Sequence, residues 1–284
     1  MLHHPVTIQV PATTANLGPG FDALGVALNL YNRITLGEPD ASWNDPFFEA
    51  AADIFYQTAG QASQAFQTGI SGDVPRSRGL GSSVTVRLGI IAGLNEKFDR
   101  PLEEETLFRL VTELEGHPDN AAPACFGGFV AGSPLHHHRF SVKDELKFVT
   151  LIPDFVLETS DARKVLPQQI RFKDCVTNIQ NTALITAAFA SESYETLDGA
   201  FMDTLHQPYR LDMIPGAAQA LDVAVEAGAL GAFISGAGPA VMALTLKHWD
   251  EIAASMSEAL VAAGQHPPQI RILEACNQGW KRVE

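Results

Sequence analysis

A short run of glycines and serines has the residue types that fit a chemical role most directly. It reads Gly79-Leu80-Gly81-Ser82-Ser83. Glycines let backbone N–H groups turn toward one point, because no Cβ obstructs them. A helix beginning at the serines would add its free N–H groups and positive dipole end, which together bind phosphate. The run therefore predicts a phosphate site, with an ordinary serine N-cap as the alternative for this run taken alone.

Two other glycine-broken loops have a similar character. One covers residues 16–22, after an apolar run near the start of the chain, and the other covers residues 235–239, between two apolar runs. Taken singly, such loops are more often turns than sites. The glycine-serine run matches neither the GxxxxGK[ST] motif with its lysine nor the GxGxxG motif. Any nucleotide site here is therefore of another type.

The elements that must position these loops are a mixture of strands and helices. An apolar strand is predicted at residues 6–10 before a loop at 11–20, an apolar helix at 84–95 after the glycine-serine run, and a strand-loop-strand unit at 233–246. The remaining predictions are strands at 25–36, 127–131, 148–153 and 269–274, and helices at 47–58, 103–115, 178–190, 217–227 and 249–263. Without strict alternation of strand and helix, the chain is predicted to be α+β.

A polar, histidine-rich stretch at residues 135–144 is the best linker candidate. It predicts two domains, residues 1–145 and 146–284. His136, His137 and His138 lie in this stretch. These histidines could bind a metal ion, but because they lie in a polar linker we favour the interpretation that they form a solvated loop.

Composition excludes several classes of function. Nineteen Lys and Arg face 33 Asp and Glu in 284 residues, a net charge of −14. Such a chain is a poor candidate for binding nucleic acid or an anionic membrane. Three cysteines without a CxxC pair argue against a disulfide scaffold or a cysteine zinc site and indicate a reducing, cytoplasmic location. The start lacks a signal-peptide pattern. The uncharged stretch 227–244 is predicted to be two buried strands around a glycine loop, rather than a membrane span.

Taken together, the three loops resemble the motifs of the GHMP kinases (galactokinase, homoserine kinase, mevalonate kinase and phosphomevalonate kinase). The motifs are PATTANLGPGFD at 11–22, GLGSS at 79–83 and SGAGP at 235–239. EGHPDN at 115–120, Thr159 to Arg163 before Leu166-Pro167, and His206 to Arg210 resemble the homoserine kinase subfamily. Val84-Thr85 depart from the two alanines expected after GLGSS, and the segment between residues 36 and 47 is short. Asn44 is the candidate there for contact with the base.

The resemblance implies two α+β domains, the first similar to the second domain of ribosomal protein S5 and the second ferredoxin-like. It also implies ATP- and Mg²⁺-dependent phosphorylation of the hydroxyl of L-homoserine, in threonine biosynthesis, and a homodimer. One alternative is another kinase of the family, acting on mevalonate-like or shikimate-like acceptors. These acceptors carry a carboxylate but no ammonium group. The other alternative is a non-catalytic member, although the glycine loop and an acidic metal ligand are both present.

The resemblance and the demands of phosphoryl transfer assign the nucleotide side of the site. Phosphoryl transfer requires that the reacting groups are positioned and that the negative charge of the phosphates is neutralised. Mg²⁺ needs hard oxygen ligands, for which Glu115 with Ser83 or Ser82 is the choice and Glu113 the alternative. Arg87 follows Ser83 by one helical turn and could therefore face the nucleotide, although a solvent-facing arginine is the default prediction. The phosphate-binding residues are Arg78, Gly79, Leu80, Gly81, Ser82 and Ser83.

An amino-acid substrate is a zwitterion, so the part of the site that binds it needs partners for an ammonium group and for a carboxylate. Asp22 and Asp119 can accept from its ammonium group, and Arg163 and Arg210 can clamp its carboxylate through paired N–H donors. Asn16, His117 and Asn120 are expected to orient substrate groups, with Asn120 nearest the reacting hydroxyl. The predicted catalytic residues are Asp119, Asn120 and Ser82. Whether Asp119 is a general base or the γ-phosphate takes the proton is left open.

Overall fold

The structure is a computed structural model that describes residues 4–39 and 45–283. Its strands are β1 (Val6–Ala15), β2 (Leu24–Pro39), β3 (Phe66–Gly72), β4 (Phe129–Gly132), β5 (His137–Phe140), β6 (Lys147–Ile152), β7 (Gly231–Ile234), β8 (Val241–Thr245), β9 (Gln269–Leu273) and β10 (Lys281–Arg282). Its α-helices are α1 (Pro46–Ala59), α2 (Ser82–Lys97), α3 (Glu104–Glu115), α4 (Pro118–Phe126), α5 (Thr159–Lys164), α6 (Phe172–Ala190), α7 (Gln207–Arg210), α8 (Ala217–Glu226) and α9 (Trp249–Ala262). This mixture confirms the predicted α+β class.

The first sheet has the strand order β10-β1-β2-β4-β5, with β3 also paired to β2. Every residue of β1 is buried, as expected for a strand with neighbours on both sides. The predicted end of this strand before Pro11 is wrong. Pairing with β2 continues to Ala15 through a register shift between Pro11 and Ala12, and a bulge is where a strand tolerates proline.

Helix α2 crosses the first sheet and is buried on nearly all sides. Gly89 and Gly93 let it approach β2 closely. A Cβ on Gly89 would lie 2.6 Å from the side chain of Ile34, and one on Gly93 would lie 2.8 Å from that of Leu36. The close packing fixes the start of α2, which is also the end of the glycine-serine run.

The helices beside α2 begin and end at the expected kinds of residue. Asp45 caps α1, since its Oδ1 accepts from the backbone N–H of Phe47 at 2.9 Å. Gly60 ends α1 and Gly116 ends α3, both with left-handed backbone angles. The helices predicted at 47–58 and 103–115 are confirmed within one residue at each end.

The second sheet has the strand order β7-β8-β6-β9 and is antiparallel throughout. Helices α8 and α9 pack on it. A shared apolar cluster joins the two sheets, and within it the rings of Phe129 and Phe189 stack at 4.2 Å. The chain then returns to the first sheet, where β10 pairs with β1. The division near residue 145 remains a prediction.

The linker prediction at 135–144 is wrong in its centre. His137–Phe140 forms β5, paired with β4. The His137 ring stacks on Phe126 at 4.3 Å, so this histidine is packed, while His136 and His138 are exposed. The stretch 227–244 forms β7, a glycine loop and β8, as predicted. No helix among the described residues combines the length and the apolar composition that spanning a membrane needs.

Candidate active site

The three glycine loops meet at one cleft of about 760 Å³, a volume typical of small-ligand sites. Side-chain hydrogen bonds hold the loops together. Asn16 Nδ2 donates to the carbonyl of Gly236 at 2.9 Å. The hydroxyls of Thr14 and Ser235 are hydrogen-bonded at 2.8 Å, and Ser235 Oγ donates to the carbonyl of Gly79 at 2.6 Å. Loops far apart in sequence therefore form one wall.

The glycine-serine run forms a tight turn into α2. Gly81 has φ 67°, a left-handed angle, and a Cβ on it would lie 2.0 Å from Thr13 Oγ1 and 3.2 Å from Asn120 Oδ1. Ser82 is the first residue of the helix, so the helix N-terminus opens into the cleft. Its free N–H groups and dipole favour an anion at this point.

Glu115 lies beside the start of α2. Ser83 Oγ donates to Glu115 Oε2 at 2.9 Å, and Arg87 Nη1 donates to Glu115 Oε1 at 2.8 Å. Arg87 is therefore held inside the cleft, and the default prediction that it faces solvent is wrong. Its guanidinium also lies 4.6 Å from the ring centre of Phe47. The alternative ligand, Glu113, is exposed and does not line the cleft.

Asp22 and Arg163 form a two-point ion pair across the cleft. Arg163 Nη2 donates to Asp22 Oδ1 at 2.7 Å, and Nη1 donates to Oδ2 at 3.1 Å. Both side chains are about one-third exposed. An exposed pair of this kind contributes little to stability, so its groups can exchange partners at small cost.

Arg210 lies behind this pair and is 1% exposed. It donates to the backbone carbonyls of Ala162 and Gly236 at 3.1 Å each, while its Nη2 has no hydrogen-bond partner in the described part of the chain. Burial, together with the positive charge of Arg163, lowers the pKa of Arg210 to about 10. It therefore remains charged at neutral pH.

Phe21 supports both arginines. Its ring centre lies 5.3 Å from the guanidinium of Arg163 and 5.2 Å from that of Arg210. Phe21 also stacks on the ring of His206, with the two ring centres 5.0 Å apart. The ring gives the two cations a fixed platform through cation–π contact.

His117, Asp119 and Asn120 form a hydrogen-bonded row at the start of α4. The His117 ring pairs with Asp119, and Asn120 Nδ2 donates to the same carboxylate at 3.3 Å. Thr13 Oγ1 donates to Asn120 Oδ1 at 2.7 Å, which fixes the amide. Burial alone would lower the pKa of His117, but the hydrogen bond to Asp119 and the charges of Asp119 and Asp22 raise it overall.

The carboxylates of Asp22 and Asp119 and the His117 ring present ligand atoms within 4.8 Å of one another. Such a cluster attracts a cation, either a metal ion or an ammonium group. Because two carboxylates with one hydrogen-bonding ring also match the three donors of an ammonium group, the cluster suits a primary amine.

The structure brings nearly all of the predicted site residues to this cleft. Leu80 differs, since its side chain is buried and only its backbone can meet a ligand. Arg78 lines the cleft and reaches Asp154 at 3.5 Å. Asn44 lies outside the described residues. The residues found in the cleft are Asn16, Asp22, Arg78, Gly79, Gly81, Ser82, Ser83, Glu115, His117, Asp119, Asn120, Arg163 and Arg210.

Sequence reasoning assigned no role to Thr13 or Phe21. Both belong to the first loop motif at 11–22, and their position in that motif was the signal that could have indicated a role in the site. What they do depends on partners far along the chain, since Thr13 holds Asn120 across 107 positions.

Comparison with known proteins adds independent findings. The family described as "GHMP kinases N terminal domain" matches residues 46–128, and "GHMP kinases C terminal" matches residues 186–262. A homoserine kinase of Clostridium beijerinckii is 40% identical, covering 91% of this chain and 92% of the relative. One of Halothermothrix orenii is 38% identical, covering 89% and 88%.

Solved structures agree with these relatives. The crystal structure of homoserine kinase from Cytophaga hutchinsonii superposes with a TM-score of 0.86 at 25% identity, covering 100% of this chain and 98% of the other. The mevalonate kinase of Methanococcus jannaschii superposes with a TM-score of 0.69 at 15% identity, covering 95% and 98%. The second likeness concerns the fold alone.

Proposed function

The chain belongs to the GHMP kinase family, and from that premise we propose that it acts as a homoserine kinase, which transfers the γ-phosphate of ATP to the hydroxyl of L-homoserine. The observation that carries this proposal is a pair of opposite charges, Asp22 and Arg163, lining the same cleft as a helix N-terminus built for phosphate. An amino acid with a terminal hydroxyl fits that combination.

The glycine-serine loop is the phosphate-binding part of the site. Backbone N–H groups at Gly81, Ser82 and Ser83 lie at the start of a 16-residue helix. They can neutralise phosphate oxygens without moving, and fixed donors of this kind supply most of the stabilisation in phosphoryl transfer. Arg78 adds a positive charge at the same wall.

Ser83 and Glu115 fit a magnesium ion. Their oxygens lie 2.9 Å apart beside the helix N-terminus, and both are hard ligands of the kind that Mg²⁺ prefers. Ser83 and Glu115 would hold the ion there, and the ion would supply positive charge that neutralises the phosphates during transfer. Arg87 holds the other carboxylate oxygen, so Glu115 keeps one orientation.

The Asp22–Arg163 pair is suited to opening for a zwitterion. An ammonium group can replace Arg163 as the partner of Asp22, and a carboxylate can replace Asp22 as the partner of Arg163. Each charge then keeps an opposite charge, so the exchange leaves no unpaired ion. Arg210 is charged and offers the free Nη2, which makes it the second arm of the carboxylate clamp.

Asn120 is proposed to hold the reacting hydroxyl. Its Oδ1 lies against Gly81 and is fixed by Thr13, so the acceptor oxygen would sit close to the phosphate loop. The neighbouring carboxylate of Asp119 is engaged by His117. We assign Asp119 to ammonium binding. The proton of the acceptor hydroxyl then passes either to the γ-phosphate or to Asp119.

Removing one charge from the acceptor at a time tests the proposed substrate. 3-Amino-1-propanol is homoserine without its carboxylate, and 4-hydroxybutanoate is homoserine without its ammonium. We expect kcat/KM for L-homoserine to exceed that of either analogue by at least about tenfold to a hundredfold, because each loses charge-assisted contacts. ADP release measured with each acceptor, and with none, gives the comparison. Equal rates with 4-hydroxybutanoate and L-homoserine would contradict a zwitterion site.

The magnesium assignment is tested by a pair of glutamates two positions apart. Glu115→Gln removes a ligand charge, so the Mg²⁺ concentration for half-maximal rate should rise at least about tenfold. Glu113→Gln is the matched control, because Glu113 is exposed outside the cleft. Homoserine binding without nucleotide, measured by calorimetry, should stay within about twofold in both variants. A parental Mg²⁺ titration in Glu115→Gln, or a shifted one in Glu113→Gln, would overturn the assignment.

A further inference from the structure

A fully buried histidine lies directly behind the arginine clamp. His206 comes just before α7, and its side chain is 0% exposed. Its Nδ1 lies 3.1 Å from Nη1 of Arg210, four positions later in the chain. Its Nε2 lies 2.8 Å from the carbonyl oxygen of Gly18, in the first loop motif. Because the ring is buried, it can influence the reaction only through these neighbours.

The surroundings of the His206 ring determine which nitrogen carries the proton. Nε2 faces two acceptors, the carbonyl of Gly18 and a carboxylate oxygen of Asp203 at 3.4 Å. Nδ1 faces Arg210, and a guanidinium nitrogen can only donate. The ring is therefore neutral with its proton on Nε2, and Arg210 Nη1 donates to Nδ1. Burial lowers the pKa of His206, and the charge of Arg210 acts in the same direction, although Asp203 opposes it.

His206 completes the set of contacts that orients Arg210. Nε of Arg210 donates to the carbonyl of Ala162, and Nη1 donates to the carbonyl of Gly236. Nη1 has a second N–H group, for which Nδ1 of His206 is the acceptor. Every N–H group of Arg210 outside Nη2 then has an acceptor, so the plane of the guanidinium is fixed. The two N–H groups of Nη2 are left for a carboxylate.

The same ring joins Arg210 to the loop that carries Asp22. Gly18 and Phe21 belong to this loop, and the ring of Phe21 stacks on that of His206. His206 therefore holds the proposed partner of the carboxylate at a fixed spacing from the loop that bears the proposed partner of the ammonium group. An amino acid presents its two charges at a fixed spacing too, and a site that is already ordered loses less free energy on binding.

We propose that His206 is a positioning residue for the substrate, which accepts from Arg210 and so holds Nη2 toward the substrate carboxylate. The inference rests on the proposed homoserine kinase function, because it requires an acceptor that carries a carboxylate. Asp203 supports the histidine in turn, since its Oδ2 accepts from the backbone N–H of His206 at 3.0 Å. The alternative is a histidine that only packs, whose loss would weaken the reaction of every acceptor alike.

Dependence on the substrate carboxylate distinguishes these two roles. His206→Phe keeps a ring against Phe21 but removes the acceptor at Nδ1. The ratio of kcat/KM for L-homoserine to kcat/KM for 3-amino-1-propanol, which lacks the carboxylate, should fall about tenfold, because a hydrogen bond that orients a charged group is lost. His206→Asn places an oxygen near the position of Nδ1 and should recover part of the ratio. Equal losses for both acceptors in His206→Phe, with the ratio unchanged, would overturn the proposal.

Thr182→Val is the matched control. Thr182 Oγ1 donates to the carbonyl of Pro19 at 2.9 Å, so it also holds the first loop, but from α6 rather than from Arg210. Its ratio should stay within about twofold of the parent ratio. A parent without preference for L-homoserine over 3-amino-1-propanol would contradict the carboxylate clamp and with it the proposed function. A parental preference that persists in His206→Phe would overturn only the role of His206.

The position of the proton gives a second test, which does not depend on the folding of any variant. In ¹⁵N NMR of the parent labelled at its histidines, protonated and unprotonated ring nitrogens have separate signals, and triple-resonance spectra assign those of His206. At pH 7 its Nε2 should be protonated and its Nδ1 unprotonated. A proton on Nδ1 would remove the acceptor for Arg210 and overturn the proposal.

Discussion

Replacing Gly81 by alanine is expected to lower kcat/KM for ATP at least about a hundredfold. The added Cβ would lie 2.0 Å from Thr13 Oγ1 and 3.2 Å from Asn120 Oδ1. Thr13, Asn120 or the loop must therefore move, and displacements near 1 Å cost about this much in an oriented reaction. Steady-state rates at varied ATP concentration measure the loss.

The control for this prediction is Gly60→Ala at the end of α1. Gly60 has φ 62°, close to the 67° of Gly81, but no atom of the residues that the structure describes lies within 4 Å of the position of its Cβ. Both variants should lose about 1–2 kcal/mol of stability from left-handed strain, and only Gly81→Ala should lose activity. Equal activity of the two variants would show that the loop does not hold the phosphates. If Gly81→Ala does not fold, Ser82→Val provides the second test, with the same loss expected.

Replacing Arg163 by leucine is expected to raise the KM for L-homoserine about tenfold to more than a hundredfold. A charge-assisted contact contributes roughly 1.5–3 kcal/mol, and leucine removes both N–H donors of the fork. Arg163→Lys should recover only part of the loss, because an ammonium group cannot make two parallel hydrogen bonds to a carboxylate. The KM for ATP should change less than about threefold in both variants.

Two controls separate the clamp from a structural role. 3-Amino-1-propanol has no carboxylate, so parent and Arg163→Leu should phosphorylate it equally well. Arg171→Leu removes an arginine whose side chain is 85% exposed and pairs with Asp174, and it should leave both KM values unchanged. If Arg163 mainly joined parts of the fold, the melting temperature would fall and the KM values for ATP and homoserine would rise together. That result would contradict the clamp.

The local parts of the fold could be predicted from the sequence. Helix α3 has strong apolar periodicity and ends at a glycine, and α2 is a mainly apolar run that follows the glycine-serine loop. Helix α4 was not predicted. It contains Pro118 and Pro123, and proline is uncommon inside helices, although Pro118 is at the first helical position, where proline fits. Strand β3 was missed because only Phe66 of its residues is buried, so the alternation of a half-buried strand is absent.

The residues that form the site could be predicted from the sequence, but the contacts between them could not. Glycine, serine and charged residues in three loops indicated phosphate and amino-acid binding. The pairing of Asp22 with Arg163 joins positions 141 residues apart, and spacing along the chain carries no information about such a contact. Arg87 shows the same limit, since its approach to Glu115 depends on how α2 and α3 pack.

A competition among three acceptors tests the proposed homoserine kinase activity. The protein is incubated with ATP, Mg²⁺ and equal concentrations of L-homoserine, mevalonate and shikimate, and the products are identified by mass spectrometry and ³¹P NMR. O-phospho-L-homoserine is the expected main product, formed in equal amount to ADP, because of the three acceptors only homoserine offers both an ammonium group to Asp22 and a carboxylate to Arg163. Phosphorylated mevalonate or shikimate as the main product, or ADP without phosphohomoserine, would contradict it.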